Sequence, residues 1–440
     1  MSKIVAFTGI ILYSVAFTIA VDMLHPAPAD AQEGKPLITP AMRARLETIR
    51  TRVHTLGDEV ITFWKEKGPD PEHGGFYGTL DRTGTPITPT DKGLTQEIRH
   101  LWSFSIWYRY REPTPEIKTL CDNLYAFIIS HFYDASDGEF YFLVDEDGSP
   151  VDTKKDLYAE SFAILGLAEY ALTFDRKEAA EYALNCFHSV DARFNDEVYH
   201  GYDETDEKGP DRAKDTGDIM HLIESFTTLY KVTGDKQVRQ RLNEFIDISL
   251  NKIIQPEGYC RMFFARDWTP TGSPDILYGH DLQLAWLILQ AAEAVDRSTD
   301  RALIDRALTT SLYSSDKGFD PELGGYFGMG LPDGIITWAS KIWWVQCEAI
   351  NALWWNYQLT GDTEQLDRLD KTLDWIETSQ RDSEYGEWFA GINEDGSTGD
   401  ENTRGPSYLK SDNKGEIMKS SYHNIRALVF VEKWINDYLN

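Results

Sequence analysis

Gly74-Gly75-Phe76-Tyr77, Gly138-Glu139-Phe140-Tyr141, Glu197-Val198-Tyr199, Gly258-Tyr259, Gly324-Gly325-Tyr326-Phe327 and Gly386-Glu387-Trp388-Phe389 are six versions of one short segment. Each is an extended aromatic stretch led by glycine or an acid, and the third copy is the weakest. Their starts lie about 64, 59, 61, 66 and 62 residues apart. A fixed spacing of this size marks a repeat architecture, in which each unit buries its apolar face against the next. Several copies run on into turn chemistry, as in Asp145-Glu146-Asp147-Gly148 and Asn393-Glu394-Asp395-Gly396.

The intervals between these segments carry helical patterns. Leu157 to Leu172 sets small Ala159, Ala163, Gly166 and Ala168 among large residues, and Trp343 to Leu359 is a second apolar run. Each interval has room for an amphipathic outer helix and a more apolar inner one. Six such pairs closing on themselves give an all-α (α/α)6 barrel with short β-hairpins at one rim. An open solenoid is the competing arrangement. Each inner helix begins just after its hairpin, so one rim gathers the hairpins and the first helical turns, and a pocket belongs there.

Composition narrows the partners. The chain has 440 residues, 42% apolar and 26% charged, with a formal net charge of −29. An acidic surface repels phosphate backbones and anionic lipid, which argues against nucleic acid and membrane surfaces. The 13 Trp, 22 Tyr and 21 Phe supply a large aromatic core and leave rings to stack on the apolar faces of a sugar.

Residues 1–31 read as a secretory signal: Lys3, an apolar stretch from Ile4 to Ala20, then Ala29-Asp30-Ala31 before Gln32. An uncleaved anchor is the alternative. The expected location is therefore periplasmic or extracellular. Residues 32–45 read as a flexible tether and 46–440 as one barrel domain, a monomer or weak homodimer. No later segment is apolar enough to cross a bilayer. Cys121, Cys186, Cys260 and Cys347 are widely spaced in apolar segments, which predicts buried free thiols.

About 20 to 37 residues past each hairpin segment, polar residues interrupt the apolar helix starts: Arg99, Tyr158 with Glu160, His221, His280, Trp344 with Glu348, and His423. Three of the ten histidines thus fall at equivalent places in different repeats. Gln283 follows His280 by three residues and Glu224 follows His221 by three, so each pair shares a helix face. His73, His100, His131, His188 and His200 show no such pattern and read as structural.

Gly74-Gly75-Phe76-Tyr77-Gly78, Phe263-Phe264-Ala265-Arg266-Asp267-Trp268-Thr269-Pro270, Tyr278-Gly279-His280-Asp281, Lys341-Ile342-Trp343-Trp344-Val345-Gln346-Cys347-Glu348 and Tyr422-His423-Asn424 occur in that order. Together they resemble the motifs of the N-acylglucosamine 2-epimerase family, in particular its cellobiose 2-epimerases, over nearly all of the chain after about Arg45. The resemblance implies a sugar ligand whose ring opens, loses its C2 proton to give a cis-enediolate, and is reprotonated. It implies that His280 and His423 are the acid–base pair, that His221 assists ring opening, and that Arg99 holds the oxyanion. It also implies stacking on Trp344 and hydroxyl acceptance by Glu348; Tyr158 and Gln283, from their places on the rim, are further candidates for substrate binding. Trp343 and Trp344, being adjacent, are not both expected to face the cavity. No nicotinamide fingerprint, P-loop or zinc helix motif is present, so no cofactor is implied.

Four residues depart from the family pattern. Gln283 stands where a glutamate is usual; it cannot act as a base but can hydrogen-bond an imidazole. Met418 stands where a tryptophan is usual. Gly217-Asp218 stands where Asn-Thr is usual. The alternatives are an aldose–ketose isomerase of the mannose–fructose type, a glycoside hydrolase on the same barrel using Glu160 and Glu348, and a degenerate sugar-binding protein.

Overall fold

The computed structural model describes residues 38–206, 212–398 and 412–440. The leader read at residues 1–31 lies outside them. Twelve α-helices occur among the described residues. They are α1 (Pro40–Lys67), α2 (Leu94–Tyr110), α3 (Pro115–His131), α4 (Leu157–Phe174), α5 (Lys177–Phe194) and α6 (Thr216–Thr233). The second half has α7 (Lys236–Ile248), α8 (Tyr278–Ala294), α9 (Arg301–Lys317), α10 (Trp343–Thr360), α11 (Thr363–Trp375) and α12 (Tyr422–Leu439).

Even-numbered helices are apolar through most of their circumference and nearly wholly buried; odd-numbered helices bury one stripe. The pattern sorts them into an inner and an outer ring, because a helix that is apolar all round has no face to offer water. Inner helices pack in the order α2, α4, α6, α8, α10, α12, and α12 returns to pack on α2. Each of the first five inner helices is backed by the helix that follows it, and α12 is backed by α1. The chain's first helix therefore completes its last pair. This closure removes the open solenoid and establishes the (α/α)6 barrel, with 38–440 as one compact unit.

One boundary moves. Helix α1 begins at Pro40, with Thr39 Oγ1 accepting the Met42 N–H at 3.1 Å. Residues 40–45 are therefore helix, not tether. Thr39-Pro40 is an N-cap followed by proline at the first helical position, a start signal the composition of the segment hid.

The six repeat segments each make one antiparallel bridge that closes the turn after an outer helix: Pro69 with Phe76, Tyr133 with Phe140, Asn195 with Tyr202, Ile254 with Cys260, Phe319 with Tyr326, and Arg381 with Trp388. Inner-helix side chains pin several of these turns. Glu97 Oε1 accepts the Phe76 N–H at 3.0 Å, Glu160 Oε1 the Phe140 N–H at 2.9 Å, and Gln346 Oε1 the Tyr326 N–H at 2.7 Å. Buried lysines do the same from the other side: Lys92 to Asp70 at 2.8 Å, Lys341 to Asp320 at 2.7 Å and Lys414 to Asp382 at 2.8 Å. Paired and hydrogen-bonded, these charges can be buried. The rim is thereby held rigid where the inner helices start. All four cysteines are buried and unpaired. No described helix is long and apolar enough to cross a membrane.

Candidate active site

The inner helices begin around one cavity of about 560 Å³. Arg99, Tyr158, His221, His280, Gln283, Trp344 and His423 all line it, each from the first turns of a different inner helix or of the same one as its neighbour in that series. Of the eight residues singled out for the site, only Glu348 stays out of the lining.

His423 is 7% exposed. Its Nδ1 meets Glu348 Oε1 at 2.8 Å, and its other ring nitrogen has no partner among the described residues. His221 repeats the arrangement within α6, Nδ1 to Glu224 Oε2 at 3.2 Å. A carboxylate behind Nδ1 fixes the tautomer that turns Nε2 toward the open side. His280 has no such support. Its Nδ1 is buried without a partner, and Gln283, expected to hold it, leaves both amide atoms unpaired. Burial pushes His280 down to about 3, with His221 adding to the effect. Burial pushes His221 down to about 4 against the pull of Glu224. Burial, with Arg426 and Arg99, pushes His423 well below the usual imidazole value. All three shifts favour the neutral imidazole.

Trp344 packs against both catalytic candidates, 5.1 Å from the His280 ring and 5.9 Å from the His423 ring between centroids. Its seat depends on Gly279, since a Cβ there would lie 2.3 Å from Trp344 Cζ3. Trp343 also reaches the lining, with its ring edge-on to His423 at 6.3 Å. The expectation that only one of the two faces the cavity is therefore corrected: Trp344 stands partly exposed while buried Trp343 contributes its edge.

Arg99 is 1% exposed and pairs with no carboxylate among the described residues. It donates to the Met418 carbonyl at 3.0 Å and to the Tyr158 hydroxyl at 2.7 Å, and lies over the Phe162 ring at 4.0 Å. A buried guanidinium held only by neutral groups is stabilised by an anion, which fits an oxyanion that forms during reaction. Met418 thus contributes its backbone where a tryptophan would contribute a ring.

Glu348 is corrected. It is fully buried and accepts from Trp286 Nε1 at 3.1 Å, from Arg426 and from His423. It supports a histidine and does not reach a sugar hydroxyl. Glu160 is equally buried, bound to the Phe140 N–H and the Cys186 thiol. The two carboxyls nominated for glycoside hydrolysis therefore do not face the cavity.

Sequence reasoning missed Arg426. Fully buried on α12, it donates to Glu224 and to Glu348 together, and to the Tyr422 hydroxyl. One guanidinium thus anchors the carboxylates behind both His221 and His423. Its signal was present: a charged residue three past His423 in the otherwise apolar run from Ile425 to Val431. Also missed were Asp156, Glu204 and Asp215, which line the cavity together with Asp218, read in the sequence only as a departure from the family pattern.

Residues 75–409 match the family model for N-acylglucosamine 2-epimerase (GlcNAc 2-epimerase). A cellobiose 2-epimerase of Bacteroides fragilis is 28% identical over 390 residues, covering 85% of this chain and 96% of that protein. A rat N-acylglucosamine 2-epimerase is 27% identical, covering 89% and 93%. The structure of cellobiose 2-epimerase from Spirochaeta thermophila superimposes with a TM-score of 0.79 at 28% identity, over 91% of this chain and all of that one. This chain belongs to the N-acylglucosamine 2-epimerase family of enzymes.

Proposed function

We propose that the enzyme inverts C2 of an aldose, or of the reducing-end residue of a β-linked disaccharide, through a cis-enediolate. The observation that carries this is the placement of His280 and His423 on one cavity, with Trp344 against both and an unpaired Arg99 beside them. His221 assists ring opening. One ring of the pair takes the proton from C2 as the electrons move onto the carbonyl oxygen, where Arg99 holds the charge. The other ring gives a proton to the opposite face. Before that second step the first ring releases its proton to solvent and the other draws one from solvent, so both rings return to their starting state and the C2 hydrogen exchanges. The enediolate's negative charge stabilises the protonated ring and offsets the burial that keeps it neutral beforehand. The leader-type segment 1–31 supports action outside the cytoplasm.

The test is turnover of glucose, mannose, cellobiose and mannobiose in D₂O, with products separated by chromatography. The 2-epimer should carry deuterium at C2. His280→Asn and His423→Asn should each lower the rate about 10² to 10⁴-fold, the usual cost of a lost general acid or base. Epimer without C2 label, or near-native turnover in both variants, overturns the mechanism. A ketose as main product assigns the same site to aldose–ketose isomerisation.

A further inference from the structure

One wall of the cavity carries carboxyl groups that the proton transfer does not use. Asp215 and Asp218 stand at the start of α6, Asp156 precedes α4, and Glu204 lies in the loop after α5. Two of them are partly committed elsewhere. Asp156 caps α4 through the Ala159 N–H at 3.1 Å and meets Lys154 at 3.4 Å; Asp215 caps α6 through the Gly217 N–H at 2.5 Å. Asp218 is different. It is 8% exposed, and its carboxyl has neither a hydrogen bond nor a cation among the described residues. Asp215 and Glu204 also lack an ion-pair partner among those residues.

Two further features sit beside this wall. Gln283, 1% exposed, lines the same cavity with its amide oxygen and nitrogen both unpartnered. Gly217 lets Asp215 and His280 approach the start of α6; a Cβ there would stand 2.9 Å from Asp215 Oδ1 and 3.7 Å from His280 Cε1. Asp218 and His221 are three residues apart on α6, so a group touching Asp218 is one turn away from the ring-opening histidine.

A buried carboxylate without a partner is costly, and the neighbouring carboxyls increase the cost. Burial pushes Asp218 well above the usual carboxylate range, with Asp215, Asp156 and Glu204 adding to it, and pushes Asp215 up to about 6. A sugar hydroxyl can donate to Asp218 but leaves that repulsion in place. A chelated metal is not the answer either, since no three such groups converge among the described residues. A single positive charge with several N–H donors satisfies both the charge and the unpaired acceptors.

We propose that the substrate bears a free, protonated amine: an amino-aldose, or a reducing disaccharide built from one, with its ammonium seated against Asp218. This rests on the epimerase reading for where the sugar ring lies, with an enaminol taking the place of the enediolate where the amine is on C2. It separates this enzyme from relatives named for N-acylglucosamine, whose acylated nitrogen is neutral.

Isothermal calorimetry on the enzyme tests it with glucosamine, N-acetylglucosamine and glucose, and with deacetylated chitobiose against cellobiose. Glucosamine should bind at least about tenfold tighter than glucose, the gain expected of one charge-assisted hydrogen bond, and N-acetylation should erase the gain. Asp218→Asn should abolish the preference and Asp218→Glu should keep part of it. Glucosamine binding no tighter than glucose, or a preference unchanged in Asp218→Asn, overturns the proposal. The wild-type comparison alone decides if a variant fails to fold. Deuterium uptake at C2 of neutral sugars without an amine preference sinks this proposal and leaves the epimerase reading. An amine preference with no C2 exchange in any sugar does the reverse.

Discussion

Arg426→Gln should damage both stability and catalysis, for one reason. The guanidinium is fully buried and shared between Glu224 and Glu348. Burial pushes Glu224 up, but Arg426 and His221 overcome it and hold the carboxyl at about 2. Burial pushes Glu348 up to about 7 in spite of Arg426. Without the cation both carboxyls are buried close to a like group and at least one takes a proton. A protonated carboxyl no longer stabilises a charged imidazole in front of it. Removing one partner of a buried ion pair costs about 3 to 5 kcal/mol of stability. Losing a charge-assisted hydrogen bond to His423 costs a further 1.5 to 3 kcal/mol or so in the transition state, roughly a 10- to 150-fold drop in kcat. Arg426→Lys keeps the charge but loses the fork, so it should lose less on both counts. Denaturant unfolding and initial rates of epimer formation on the three proteins decide the matter. If Arg426→Gln unfolds and turns over as the wild type does, the two carboxylates are not held by Arg426 and the support assigned to His221 and His423 is wrong.

Gly279→Ala should force Trp344 aside, because the new Cβ would stand 2.3 Å from its ring; KM should rise about tenfold with about 1 to 3 kcal/mol of strain, and an unchanged KM would show the ring is not needed where it lies. Gln283→Glu would give His280 the i, i+3 carboxylate that His221 already has; kcat should hold or rise, and a large fall would mean the amide itself binds substrate. His100 lies between Trp64 and Phe76, at 4.4 and 4.5 Å between ring centroids, and burial pushes it down to about 3. Because the unfolded ring protonates near 6.5 while the folded ring stays neutral, this histidine favours unfolding as pH falls from 7 toward 3. His100→Gln should therefore remove about 2 kcal/mol of the wild type's stability loss between pH 7 and pH 5, read from urea titrations at the two pH values; equal losses in both proteins would contradict the burial effect.

The barrel was legible because its signals are local and repeated. Each copy of the segment opening at Gly74 or Gly324 sets one bridge at one place, and the spacing between copies is the length of one helix pair. Closure was not local. It depends on α1 meeting α12, helices at opposite ends of the chain, and no pattern within either one states its partner. The start of α1 was lost for a smaller reason: a polar, proline-rich approach masked the Thr39-Pro40 cap.

The site divided along the same line. His221, His280, His423 and Arg99 were found because each occupies one register position in its own repeat, and a closed ring must bring such positions to one rim. What each residue does depends on neighbours from other repeats. Glu348 reads as a sugar ligand on α10 alone; it becomes the support of His423 only when α12 is laid against α10 and Arg426 is placed between them. Gln283 reads as a weakened substitute behind His280, yet neither of its amide atoms bonds the ring, although the residue lines the cavity. The same holds for Asp218, whose neighbour Asp156 comes from the preceding repeat. On the proposed reading, the repeated register positions of the rim move the proton, and the contacts between repeats, where this chain departs from its family's pattern, set which sugar is accepted. Gly217, Asp218 and Gln283 all line that cavity, and one ligand feature, a positive charge beside the ring, accounts for the unpartnered Asp218.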